Sequence, residues 1–184
     1  MKISEADILI APGLGNSGPD HWQRRWAERM RTARVIEQND WGNPSLADWV
    51  DRIHREIMLS TRPVVLIGHS LGVSAIVHTA QLRLKDTKVR GAFLVSPPDL
   101  ERMDMPTEIH NFRNVPTDPL PFPSIVVGSN SDPYGRYEVL QGFAADWGAD
   151  FQSAGDAGHI NADSGHGPWP EGLLLFAELM KRVK

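Results

Sequence analysis

The chain has 184 residues, a formal net charge of −4 and no cysteine. That length suits one domain burying roughly two thirds of its unfolded surface, and the composition, 41% hydrophobic and 23% charged, is that of a globular protein rather than a disordered one. The absence of cysteine excludes disulfides, thiolate metal sites and a cysteine nucleophile, and the acidic balance argues against nucleic acid as an obligate partner.

The start, Met1 to Asp7, leads into Ile8-Leu9-Ile10-Ala11, an apolar run too short for a signal-peptide core or a membrane span. A cytoplasmic protein without membrane attachment is the expectation. Ended by Pro12-Gly13, the run reads as a strand buried on both faces. Gly18-Pro19 is expected to open a helix, with proline at an early helical position. Trp22, Trp26 and Met30 recur every four residues along it. Arg24, Arg25, Arg29, Arg31 and Arg34, interrupted by Glu28, read as its solvated face rather than as a phosphate patch.

Val35-Ile36 seeds a second strand, and Ser45 with Asp48 forms a capping signal for a helix lined by Leu46, Trp49, Val50, Ile53 and Ile57. Pro63-Val64-Val65-Leu66-Ile67 is the strongest strand. The helix from Leu71 to about Leu84 is apolar nearly all round and should be central. Ala92–Val95 and Ile125–Val127 are two more buried strands, and residues 97–123 between them hold seven of the fourteen prolines, which predicts an irregular surface excursion. Tyr137, Leu140, Ala144 and Trp147 mark a helix stopped by Gly148, Asp150–Ser153 a weak sixth strand, and Leu173, Phe176, Ala177 and Met180 a final helix. Such alternation predicts a single α/β domain over residues 1–184, with about six parallel strands, helices on both faces and no large lid. Sites in such sheets form at the carboxyl ends of the strands.

Gly68-His69-Ser70-Leu71-Gly72 matches G-x-S-x-G between the best strand and the most buried helix, where a nucleophile elbow must sit. The pattern points to acyl transfer on Ser70. Neither G-x-G-x-x-G nor a phosphate-binding G-x-x-x-x-G-K-[ST] is present at this turn. The serine needs a base and the base an acid, in the chain order serine, acid, histidine. Asp132, just past Ile125–Val127, is the preferred acid, with Asp99 past the preceding strand as runner-up. His159 follows the last strand and is preferred to His166. A metal site from His159, His166, Asp156 and Asp163 matches no familiar ligand spacing. No metal or cofactor is expected. The backbone amides of Leu71 and Leu14 are the expected oxyanion donors, the latter in the glycine-rich loop after the first strand. Gly13, His69, Trp41 and Trp169 are candidate pocket residues. His21, His54, His78 and His110 suggest no role.

Pro12-Gly13-Leu14-Gly15-Asn16-Ser17-Gly18-Pro19-Asp20-His21-Trp22 resembles the opening of the retinoblastoma-binding protein 9 family of small serine hydrolases. So do Gly158-His159-Ile160-Asn161 and Ser164-Gly165-x-Gly167-x-Trp169-Pro170-x-Gly172. The resemblance runs over almost the whole chain. It implies an α/β-hydrolase core reduced to six parallel strands, with the triad Ser70, Asp132 and His159. The L-x-C-x-E segment for which animal members are named needs a cysteine, so that partner function does not transfer to this chain. The expected activity is hydrolysis of small carboxylic esters, or amides, through an acyl-enzyme. The rival is a hydrolase-shaped protein that binds a ligand or partner without turnover. Oligomeric state and physiological substrate are not encoded in any motif.

Overall fold

The computed structural model describes residues 1–83 and 88–183. Six strands, β1 (Asp7–Ala11), β2 (Ala33–Val35), β3 (Val64–His69), β4 (Val89–Val95), β5 (Ser124–Gly128) and β6 (Asp150–Ser153), form one sheet in the order β2-β1-β3-β4-β5-β6. Every pairing is parallel. Among the described residues four α-helices lie between strands, α1 (Trp22–Arg29), α2 (Leu46–Leu59), α3 (Leu71–Arg83) and α4 (Tyr137–Asp146), and α5 (Pro170–Arg182) follows β6.

Strand alternation divides the core into two layers. Ile8, Ile10, Val65, Ile67, Phe93, Val95, Ile125 and Val127 face α1 and α5, where Trp22, Trp26, Phe176 and Leu179 meet them. Leu9, Ala11, Leu66, Leu94 and Val126 face the other layer, built on α2, α3 and the segment after β4. Strands buried on both sides must be apolar at consecutive positions, which is why they read as unbroken runs. The near-uniform apolarity of α3 has the same origin: Leu71 to Ala80 are all buried, between the sheet, α2 and the segment after β4.

Two elements differ from expectation. Helix α1 begins at Trp22, not at Gly18-Pro19, because the His21 side chain caps it and Nδ1 accepts the Gln23 N–H at 3.2 Å. Three of the arginines on and beside it form ion pairs, Arg24 with Glu37, Arg25 with Asp20 and Arg34 with Glu56. The proline-rich stretch is not simply a surface excursion. It carries a 3₁₀ turn at Thr107–Phe112, and Leu100, Met105, Ile109, Phe112, Leu120 and Phe122 are buried against α2 and α3. Its apolar residues lack helical or strand periodicity because an irregular chain buries them one at a time. The expected end of α3 at Leu84 lies outside the described residues.

Candidate active site

Strand β3 ends at His69, α3 begins at Leu71, and Ser70 between them takes φ +53°. A non-glycine residue there is strained by about 1–3 kcal/mol. The surroundings hold it: the Ser70 N–H donates to Val95 O at 3.0 Å. Close approach is permitted by glycine on both sides. A Cβ on Gly72 would lie 2.2 Å from Ala11 O, and one on Gly13 would lie 2.9 Å from the Ser70 Cβ. The loop after β1 therefore rests directly on the elbow. In that loop Gly15 N–H donates to Trp41 O and Asn16 N–H to Gly13 O. Among the described residues the Leu14 N–H, like that of Leu71, has no backbone partner. These are the two amides expected to hold an oxyanion.

Asp132 stands past the end of β5 and His159 past the end of β6, both nine-tenths or more buried. The histidine Nδ1 lies 2.8 and 2.9 Å from the two Asp132 oxygens, and Tyr134 N–H donates to Asp132 Oδ1 at 2.9 Å. Serine hydroxyls tie the two loops together. Ser129 Oγ accepts from Ala157 N–H at 2.9 Å and Ser131 Oγ from Gly158 N–H at 3.0 Å. Ile160, directly after the histidine, is a fully buried β-branched residue at φ +48°, a conformation that needs external support. The Trp22 indole N–H provides it by donating to Ile160 O at 2.8 Å. Since Nδ1 is engaged by Asp132, Nε2 is the His159 nitrogen left for chemistry. Ser70 and His159 line one cleft without a direct hydrogen bond between them, a looseness common before substrate arrives.

The cleft has a volume of about 250 Å³. Pro98, Met105, Pro106 and Ile109 supply an apolar side; His21, Asn16 and Asn161 supply polar groups. Gly13 and His69 line it, and Leu14 and Tyr134 complete the rim. The His69 ring donates through Nε2 to His159 O at 2.8 Å. Burial, and then the neighbouring His159, hold its pKa well below the usual histidine value, so it is a neutral brace.

Other candidates fall elsewhere. Trp169 does not line the cleft: it is buried among Trp22, Trp26 and Phe93, with ring centroids 5.0, 5.9 and 6.1 Å away. An aromatic next to α5 can close the core as readily as edge a pocket, and here the α1 tryptophans claim it. Trp41 packs on Trp49 at 5.5 Å and supports the site only through its carbonyl. Asp99 is buried, and its Oδ2 accepts from Arg136 Nε at 2.5 Å. The His166 ring bonds Ser164 Oγ and its carbonyl accepts from Trp22 N–H, which makes it a brace for α1. Among the described residues no group of acidic or histidine side chains is placed to hold a metal. His21, Asn161 and the residues at 98–109 escaped sequence reading. Only the first two sat inside segments singled out for resemblance.

Residues 8–178 match a family model described as serine hydrolase. A YdeN-like hydrolase from Pectobacterium atrosepticum is 32% identical, with a TM-score of 0.87 over 99% of this chain and 95% of that one. The ydeN product of B. subtilis is 17% identical, at a TM-score of 0.75 over 96% and 99%. A butyrate-bound esterase from Thermogutta terrifontis shares the fold at 16% identity and a TM-score of 0.69 over 98% and 85%. No curated protein matches the sequence. The chain belongs to the serine hydrolase family and has the α/β-hydrolase fold.

Proposed function

We propose that this protein cleaves small, neutral carboxylic esters through an acyl-enzyme on Ser70, with His159 as base and Asp132 as its orienting acid. The observation that carries the reading is the grip of both Asp132 oxygens on His159 Nδ1, in the wall of the cleft that also holds the strained Ser70. With Nδ1–H donated to the carboxylate, Nε2 bears the lone pair that takes the serine proton. Ser70 Oγ attacks the ester carbonyl, and the carbonyl oxygen gains charge against the Leu14 and Leu71 amides. As the tetrahedral intermediate collapses, the C–O bond to the leaving group breaks and Nε2 returns the proton to that oxygen. Water, deprotonated by the same nitrogen, then attacks the acyl-serine and releases the acid. No step calls on a cofactor.

The cleft volume, about 250 Å³, falls below the usual range for drug-sized ligands, which supports short acyl groups of about two to six carbons. The butyrate held by the Thermogutta terrifontis esterase is of that size. Within the superfamily we place the chain near the retinoblastoma-binding protein 9 family, on the segments around Gly13, His21, His159 and Trp169 and without that family's partner function. The test is labelling of purified protein by a fluorophosphonate probe, with the adduct located by mass spectrometry. Modification of Ser70 is expected. An unlabelled, folded protein would support binding without turnover and remove the reading.

A further inference from the structure

We propose that His21 Nε2–H is a substrate-binding donor that selects neutral esters carrying a second oxygen acceptor on the leaving-group side. The inference deepens the hydrolase reading and rests on it for the meaning of the leaving group. His21 Nδ1 accepts the Gln23 N–H, so in the neutral ring the proton resides on Nε2. That nitrogen is buried and, among the described residues, has no hydrogen-bond partner, although the ring forms part of the cleft wall. Leaving such a donor unpaired is costly, because it has given up its hydrogen bond to water without a replacement. The capping role does not require it, because serine, asparagine or aspartate caps a helix without an orphan nitrogen. Burial, with His159 and His166 nearby, lowers the His21 pKa to about 4. At neutral pH the ring is therefore a fixed neutral donor and neither a cation nor a proton shuttle.

Position decides which part of the substrate it meets. The His21 ring packs edge-on against His69 at 4.8 Å, and His69 lies 4.8 Å from His159, the residue that must hand its proton to the departing oxygen. Asn161, two residues past His159, also lines this region, with its Oδ1 occupied by Ser164 N–H. The apolar residues come instead from the segment after β4 and suit the acyl chain. Among the described residues no lysine, arginine, aspartate or glutamate lines the cleft. A charged substrate would lack a counter-charge there, whereas an ether, hydroxyl or carbonyl oxygen would find a donor.

Two substitutions separate the two ring nitrogens. His21→Asn keeps an acceptor near Nδ1, and with it the cap, but removes the far donor. His21→Gln restores a donor near Nε2. The substrates are 2-methoxyethyl butyrate and butyl butyrate, equal in length and differing by one ether oxygen. His21→Asn is expected to lose about tenfold more in kcat/KM on the methoxyethyl ester than on the butyl ester, with His21→Gln recovering part of that difference. Equal losses on both esters would make His21 structural and overturn the proposal. A selective loss on p-nitrophenyl methoxyacetate against p-nitrophenyl butyrate, but not on the alkyl pair, would overturn the leaving-group assignment. Binding to Ser70→Ala protein, read from the His21 imidazole ¹⁵N resonances, needs no turnover. The methoxyethyl ester should shift Nε2 and the butyl ester should not; identical responses refute the donor even if Ser70 fails to label.

Discussion

Asp132 holds His159 with both carboxylate oxygens, at 2.8 and 2.9 Å from Nδ1, and spends one of them again on the Tyr134 amide. The imidazole is therefore fixed in tautomer as well as in place. Asp132→Asn should present an N–H to Nδ1 and favour the opposite tautomer, with its proton on Nε2. A loss of about a thousandfold to ten-thousandfold in kcat is expected, with little change in KM. Asp99→Asn should act differently, since that carboxylate is committed to Arg136: a lower melting temperature and nearly unchanged kcat per folded molecule. Reversal of the two outcomes in steady-state kinetics and thermal melts would transfer the acid role to Asp99.

Ser70→Ala should abolish turnover of p-nitrophenyl butyrate while leaving the melting temperature within a degree or two. Among the described residues its Oγ has no hydrogen-bond partner, so its removal orphans nothing. Activity above a few per cent in contaminant-free protein would point to another nucleophile.

His159→Ala and His166→Ala should separate by orders of magnitude. Loss of the nitrogen that faces the cleft should cost about ten-thousandfold in kcat. Loss of the His166 ring gives up one bond to Ser164 Oγ, on a residue whose carbonyl steadies α1, so its effect belongs in the melting curve. A dead His166→Ala variant with normal stability would contradict the assignment of the base.

Trp169→Ala should destabilise the fold by about 3–5 kcal/mol, as expected for excavating a buried indole. Substrate preference should not change, because the ring packs in the core rather than the cleft. Chemical denaturation together with an acyl chain-length series checks both halves. A shifted chain-length optimum would return Trp169 to the pocket.

Acidification should expose the buried histidines. The folded-state pKa of His21 is about 4 against an unfolded value of 6.5, so between those limits the unfolded chain binds more protons. Stability is intact above about pH 6.5 and declines as pH falls toward 4, by up to about 3 kcal/mol from this residue. His69, lowered in the same direction by burial, adds to the trend. His21→Gln should flatten the curve of unfolding free energy against pH between 4 and 6.5. An unchanged slope would mean that the ring is not held neutral.

The fold was legible wherever burial forces composition. Strands such as Val64–His69, covered on both faces, cannot avoid apolar runs, and the elbow needs small residues at Gly68 and Gly72 in fixed positions. Asp132 and His159 were legible because topology delivers strand ends to one edge of the sheet. What escaped depended on packing at a distance. Nothing near Trp169 in sequence shows that Trp22 and Trp26 will enclose it. The residues from Pro98 to Ile109 line the cleft in no periodic order. The capping histidine at position 21 belongs to a type seldom favoured there, so its two-sided use was invisible before the helix start was known.

The joint between the two loops has a further consequence. β6 is a four-residue edge strand with no fully buried residue, and the histidine it delivers depends on the hydroxyls of Ser129 and Ser131 as much as on the sheet. Such a margin opens at lower free energy than the β1-β3-β4 centre. Competence for catalysis and retention of fold are then separate properties of this molecule. On mild heating or in low denaturant, the acid and base should part while the central strands stay paired, and activity should fade before the circular-dichroism transition begins.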